Sequence, residues 1–149
     1  MEQRLAAVLG QLGAPALVSL EPHARSRRYE NWRAVLEDGS QRLLRVAYEP
    51  GAHRGLLHEQ AALERLRGTG IPVAEDYRRF GAETFGAPAA LSSWLPGLAG
   101  EGVMDAHPEV LPQVCQTLGV LRRMLEQETV GRFGMTVVDG RFQPIRASW

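Results

Sequence analysis

The stretch QRLLRVAYE, residues 41–49, and the nearby LLHEQAALERL, residues 56–66, decide the fold between them. In the first, period-two alternation marks a β-strand with Leu43, Arg45 and Ala47 on one face and Leu44, Val46 and Tyr48 on the other. A guanidinium in the middle of such a strand calls for either a sheet covered on both faces or a strand beside a cleft. In the second, Leu56, Leu63 and Leu66 fall on one stripe of a helix that runs from Ala52 to Leu66 and stops at Gly68 and Gly70. Glu59 sits three residues after Leu56 and four before Leu63, so its carboxylate belongs to the apolar stripe rather than to the solvated face. A buried carboxylate needs a partner, because an unpaired buried charge costs several kcal/mol. Arg45 is the nearest cation in an ordered element. Spacing fits two arrangements equally: a helix packed on the sheet that joins Glu59 to Arg45, or a Glu59 that reaches water beside an Arg45 on an edge strand.

Outward from this pair, NWRAVLEDGSQRLLRVAY reads as two strands around Glu37-Asp38-Gly39-Ser40, since Asp-Gly between β-rich runs signals a hairpin. Upstream, Leu5, Val8, Leu9 and Leu12 predict a short helix that stops at Gly13 and Pro15, and ALVSLEP predicts a strand. Downstream, IPVAEDYRRFG and APAALSSWLPG predict two more strands. The Gly-rich LAGEG then leads to a helix from about Pro108 to Glu128 with Val110, Val114, Leu118, Leu121 and Leu125 on one stripe. A small hairpin is expected around Asp139-Gly140. Five strands with a helix inserted after the third predict an α+β fold, a five-stranded antiparallel sheet with that helix packed on it.

The bulk composition excludes several classes. The 149 residues suffice for one domain, and seventeen acidic residues balance seventeen basic ones, all arginine, so no net field draws the chain to nucleic acid or anionic lipid. Trp32, Trp94 and Trp149 have no basic stripe beside them to make a base-stacking surface, so packing is their expected role. The lone Cys115 excludes an internal disulfide and a cysteine metal cluster, and Asp105 with His107, or His58 with Glu59, are too few ligands for a metal site. No apolar run is long enough to span a membrane and no secretory signal opens the chain; a cytoplasmic protein is expected.

Taken in order, NWRAV (31–35), LLRV (43–46), HEQAALERL (58–66), GIPVA (70–74), LSSWLPG (91–97) and LGVLRRML (118–125) resemble the N-terminal half of aminoglycoside phosphotransferases and choline-kinase-like small-molecule kinases. The resemblance runs from about Val18 to Trp149. It implies a protein-kinase-like N-lobe in which a Lys or Arg of the third strand touches ATP phosphates and is held by a glutamate of the following helix, positions that Arg45 and Glu59 occupy. An arginine can meet phosphate bidentately, although its rigid fork asks for a different geometry from a lysine. The resemblance also makes LSSWLPG the hinge between lobes, with Ser93 C=O and Leu95 N–H as the adenine contacts and Ser92 at the back of the pocket. Leu43 would cover one side of the purine, with Val35 a looser candidate for that role. Without the family, ordinary strand and turn packing accounts for all of these residues.

Two departures limit what the resemblance implies. The phosphate-covering turn, PHARSRRYEN, holds no glycine, so Ser26, Arg27, Arg28 and Asn31 would have to meet phosphate in another way, or simply form a solvated basic loop. Complete members continue into a helical lobe with an H-G-D-x-x-x-x-N stretch and a metal-binding aspartate, and none of His23, His53, His58 and His107 begins such a stretch. A base for the acceptor hydroxyl and ligands for Mg²⁺ are missing, so no catalytic residue and no metal ligand is assigned.

The expectation is therefore a kinase-like N-lobe over residues 1–97, with 98–149 forming the inter-lobe connection and the truncated beginning of the C-lobe. As the nucleotide-binding portion of such a kinase, the chain would bind ATP, with Mg²⁺ only where a C-lobe is supplied, and would be inactive alone. Its partners would be adenine nucleotide and either a missing C-lobe or a second copy through the 108–128 helix. The alternatives are a non-catalytic nucleotide-binding or regulatory protein and a dimeric interaction protein built on the same fold.

Overall fold

The computed structural model describes residues 1–49, 51–71, 73–96, 106–127, 135–138 and 141–144. Its elements are α1 (Glu2–Gln11), β1 (Leu17–Arg25), β2 (Tyr29–Leu36), β3 (Gln41–Ala47), α2 (His53–Leu66), β4 (Arg78–Phe80), α3 (Ala82–Phe85) and β5 (Ala89–Ser93). A 3₁₀ turn over Pro108–Val110 then leads into α4 (Leu111–Gln127), followed by β6 (Met135–Val138) and β7 (Arg141–Pro144). The first five strands make one antiparallel sheet in the order β1-β2-β3-β5-β4, and β6 pairs with β7 in a separate hairpin that lies against α2. This is the α+β arrangement expected from the sequence, followed by a helix.

The hairpin at Asp38-Gly39 fixes the register of the sheet. Gly39 N–H donates to Leu36 C=O and Leu36 N–H to Ser40 C=O, which leaves residues 37–39 as a three-residue loop. Gly39 closes it at φ +79°, a left-handed conformation that glycine adopts without steric cost. Ser40 N–H donates to Asp38 Oδ1 at 2.9 Å, and bonding to Ser40 holds the Asp38 carboxyl below the usual carboxylate range. With this loop Asn31 lies opposite Arg45, while across the next ladder Arg45 lies opposite Ala90 and Leu43 opposite Ser92.

Both faces of the sheet are covered. On one, α1 lays Leu5, Val8 and Leu9 against Ala34, Leu36, Leu44, Val46, Ala89 and Leu91, with Phe85 of α3 filling the end. On the other, α2 packs through Leu56 on Ala47, Ala52 and Ala90. Of the five largest fully buried side chains, Leu5, Leu9, Leu36 and Leu44 belong to the first face and only Leu56 to the second. At about 1.5–3 kcal/mol for each side chain of this size, most of the apolar stabilisation comes from the α1 face.

Two expected strands are shorter than the sequence pattern suggests. In IPVAEDYRRFG only Arg78–Phe80 joins the sheet, because Asp76 turns the backbone at φ +52° two residues before it. Between the two expected strands the chain makes the single turn α3, which delivers Phe85 to the core. On the α4 stripe Val110, Val114 and Leu121 are half-buried while Leu118 is 59% exposed. The side chain of Leu125, Gly97, the LAGEG connection, Asp139-Gly140 and Trp149 lie outside the described residues. Among the described residues no helix is long and apolar enough to cross a membrane.

Candidate functional site

The site grows from β3 and α2. Alternation turns Arg45 toward the α2 face, and the helix sets Glu59 one turn beyond Leu56, whose burial anchors α2 on the sheet. The two side chains meet: Arg45 Nη1 donates to Glu59 Oε1 at 2.6 Å and to Oε2 at 2.7 Å. Of the two arrangements that spacing allowed, the structure holds the joined one. Arg45 is 28% and Glu59 32% exposed, so the pair lies at the edge of the interior, open to one side.

Three further residues complete the arrangement. Arg45 Nε donates to Asn31 Oδ1 at 3.2 Å, from the β2 position directly opposite. Tyr77, just before β4, places its single O–H between Glu59 Oε2 at 3.0 Å and Leu56 C=O at 3.2 Å, which share the proton. Tyr29 lies with its ring 5.5 Å from the Arg45 guanidinium carbon and donates its hydroxyl to Ala52 C=O at 2.8 Å, tying β2 to the start of α2. Burial, then the neighbouring Glu59 charge and the hydrogen bond to it, push the Tyr77 hydroxyl well above its ordinary range, so it stays a donor. Burial also raises Tyr29, against an opposing pull from Arg45. Gly55, in the first turn of α2, leaves room for this: a methyl group there would overlap the Tyr29 hydroxyl.

Guanidinium use is uneven. Nε is taken by Asn31 and Nη1 by Glu59, which leaves Nη2 without a hydrogen-bond partner among the described residues. The bidentate fork that an arginine can offer to an oxyanion is thus partly committed to the protein, and one nitrogen is left over.

The remaining site residues expected from the sequence are placed as follows. Leu43 and Ser92 are opposite each other on adjacent strands, and period-two alternation puts Val35, Asn31, Leu43, Arg45 and Ser92 on one sheet face. Ser92 is the one buried polar residue among those described, its hydroxyl 3.3 Å from Ser93 C=O. Ser93 N–H donates to Glu75 C=O, and its hydroxyl bonds both backbone groups of Glu75. Leu95 is exposed. Trp94 lies edge-on to His23 at 4.7 Å and 5.6 Å from the Arg33 guanidinium carbon.

At the other end of the face, Ser26 ties the β1–β2 turn to itself, Tyr29 N–H donating to Ser26 Oγ at 3.0 Å, and Tyr48 donates its hydroxyl to Ser26 C=O at 2.6 Å. Arg27 and Arg28 are exposed at the tip. Of the four turn residues only Asn31 reaches Arg45, as its support. Tyr29 and Tyr77 are the participants that sequence reasoning missed. Among the described residues no three His, Cys, Asp or Glu side chains gather into a metal-binding group.

A model of the phosphotransferase enzyme family, APH, matches residues 19–149. No curated protein matches the chain.

Proposed function

The chain belongs to the phosphotransferase enzyme family, and from that membership we propose that its sheet and α2 bind ATP, with Arg45 directed by Glu59 at the phosphates. The observation that supports this reading is the Arg45–Glu59 contact at 2.6 and 2.7 Å on a guanidinium whose Nη2 has no hydrogen-bond partner among the described residues, which leaves a donor for an anion from outside the protein. Leu43 and Val35 would cover the purine, and Ser93 C=O and Leu95 N–H would meet its edge, with Ser92 behind. Arg27 and Arg28 would add positive potential at the phosphate end in place of glycine backbone contacts. ATP supplies the transferable phosphate. The chain's own part is to hold the phosphates in one orientation and to offset their charge.

The sequence between Met1 and Trp149 contains no H-G-D-x-x-x-x-N stretch, so these 149 residues bind nucleotide without a base of their own for an acceptor hydroxyl. In this reading residues 1–97 are the N-lobe and 98–149 the inter-lobe connection and the beginning of a helical C-lobe, with Mg²⁺ bound only where the rest of that lobe is supplied. Calorimetry of the full chain with ATP tests it. Saturable binding that weakens about tenfold or more on Arg45→Ala, with adenosine binding unchanged, is expected for the loss of one charge-assisted contact. No heat of binding at millimolar ATP would overturn the proposal.

A second reading, an interaction protein that pairs through α4, has in its favour the exposure of Leu111, Leu118 and Val120 on that helix. Light scattering decides it. A monomer whose mass is unchanged by Leu118→Asp and Leu121→Asp removes it.

A further inference from the structure

The family motif needs only a cation on the third strand and a carboxylate on the helix, yet here the cation is an arginine, and its three nitrogens have three different fates. Nε is occupied by Asn31 Oδ1 at 3.2 Å, Nη1 lies between both oxygens of Glu59 at 2.6 and 2.7 Å, and Nη2 is left over. Glu59 is itself restrained by the Tyr77 hydroxyl at 3.0 Å, whose one proton it shares with Leu56 C=O at 3.2 Å. A lysine in the same place would carry a methylene where arginine carries Nε–H. Asn31 would then face carbon, and nothing on β2 would fix the side chain's direction.

We propose that Asn31 and Tyr77 are positioning residues that fit this site to an arginine, Asn31 by taking Nε–H and Tyr77 by holding Glu59, so that Arg45 offers Nη2 to a phosphate oxygen as a single directed donor. This rests on the nucleotide reading of Arg45, and it changes what that reading asks of Asn31: a residue of the phosphate-covering segment acts through Arg45, with its own oxygen turned away from any anion. An amide oxygen suits that task because it accepts the Nε–H bond without adding a negative charge beside the phosphates. Tyr77 suits its own because a hydroxyl that keeps its proton can donate to a carboxylate while remaining neutral.

The test is a double-mutant cycle on the full chain, read by ATP affinity and by NMR of arginine side-chain Nε–H groups without nucleotide. Asn31→Ala is expected to weaken ATP binding about tenfold with Arg45 in place and by less than about twofold in the R45K background, because lysine has no Nε–H to lose. Tyr77→Phe is expected to weaken it about threefold, with adenosine affinity unchanged in both variants. In the NMR experiment the Arg45 Nε–H exchanges slowly with solvent in the native chain and rapidly after Asn31→Ala.

Equal effects of Asn31→Ala in the Arg45 and R45K backgrounds would overturn the proposal, as would native ATP affinity in Asn31→Ala. A variant that melts earlier but binds ATP normally would likewise overturn it, since that is the mark of a merely structural residue. If the native chain binds no ATP, the nucleotide reading falls. Slow exchange abolished by Asn31→Ala would then still support the positioning role, and unprotected native Nε–H would remove it too.

Discussion

The two faces of one sheet do different work. The α1 face is dry and made of large side chains, Leu5, Leu9, Leu36 and Leu44 among them, and its buried core holds no charged group. The α2 face is lined with alanines, Ala47, Ala52 and Ala90, and the room they leave is filled by Arg45, Glu59, Tyr29 and Tyr77. Small residues beneath α2 let charged and phenolic groups share the interface, at the expense of the apolar burial that holds α1. The difference teaches where stability and chemistry lie: the first face keeps the sheet folded, so the second can hold a half-exposed ion pair in one geometry.

The sharpest way to break this comparison is to damage the dry face. Leu44 is fully buried, one residue from Arg45 on the same strand but pointing the other way. Leu44→Ala is expected to cost about 2–5 kcal/mol of stability by denaturant unfolding, while the molecules that remain folded bind ATP as before. A loss of ATP affinity in the folded fraction would mean that the two faces are not separable.

A smaller effect is expected at Gly55, on the polar face. A methyl group there overlaps the Tyr29 hydroxyl, so Gly55→Ala forces either α2 or Tyr29 to move. Overpacking of this kind costs about 1–3 kcal/mol, and the better helix propensity of alanine returns about 1, so a net loss near 1 kcal/mol is expected. Unlike Leu44→Ala, this change displaces the ring lying against Arg45, and ATP affinity should fall with it. A stabilised variant with native affinity would show that Tyr29 yields freely and supports nothing.

How much of this could be read from sequence differs between the same two faces. The dry face was legible because it obeys simple periods: Leu5, Val8 and Leu9 at helical spacing, Leu44 and Val46 at strand spacing. The Arg45–Glu59 pair was half legible, since alternation and the Leu56–Leu63 stripe gave each residue its face, and only packing could join them. The support was not legible. A two-residue Asp-Gly turn would set Trp32 opposite Arg45, and only the three-residue loop over 37–39 brings Asn31 there instead, a slip of one residue that exchanges the two faces of β2. Tyr77 lies in a segment that reads as a strand, and the backbone turn at Asp76 that brings it to Glu59 falls on a residue type common in many conformations. α3 was missed because four residues are too few to show a period.

The polar face also has a pH signature that the dry face lacks. The Tyr77 hydroxyl is raised by burial and by Glu59, so its pKa in the folded chain lies above its value in the unfolded chain, near 10. The folded state therefore holds this proton more tightly; the stability it contributes is fully present below about pH 10 and is lost as pH rises further. Tyr29 is shifted in the same direction. Tyr77→Phe should flatten the fall in stability between about pH 9 and 11 without abolishing it, as Tyr29 remains. Denaturant midpoints across that range check this. An unchanged slope in the variant would show that the Tyr77 hydroxyl is neither buried nor held by Glu59 in solution.

The smallest effect sharpens the comparison most closely, because it concerns a second arginine on the same strand. Arg42 lies three residues before Arg45, on the α1 side, and it too meets a carboxylate, Asp76, at 3.3 Å. The likeness ends at the surroundings. Asp76 is 68% exposed, and among the described residues Arg42 makes no bond comparable to the one from Arg45 Nε to Asn31. An ion pair with one partner in water gains little over hydration and is screened by salt, so Arg42→Ala should change stability by no more than about 0.5 kcal/mol and leave ATP affinity untouched. If Arg42→Ala instead weakened ATP binding as much as Arg45→Ala, positive charge on β3 would be acting at a distance. The geometry of the Arg45 side chain, its three nitrogens separately assigned, would then not be what directs the phosphates.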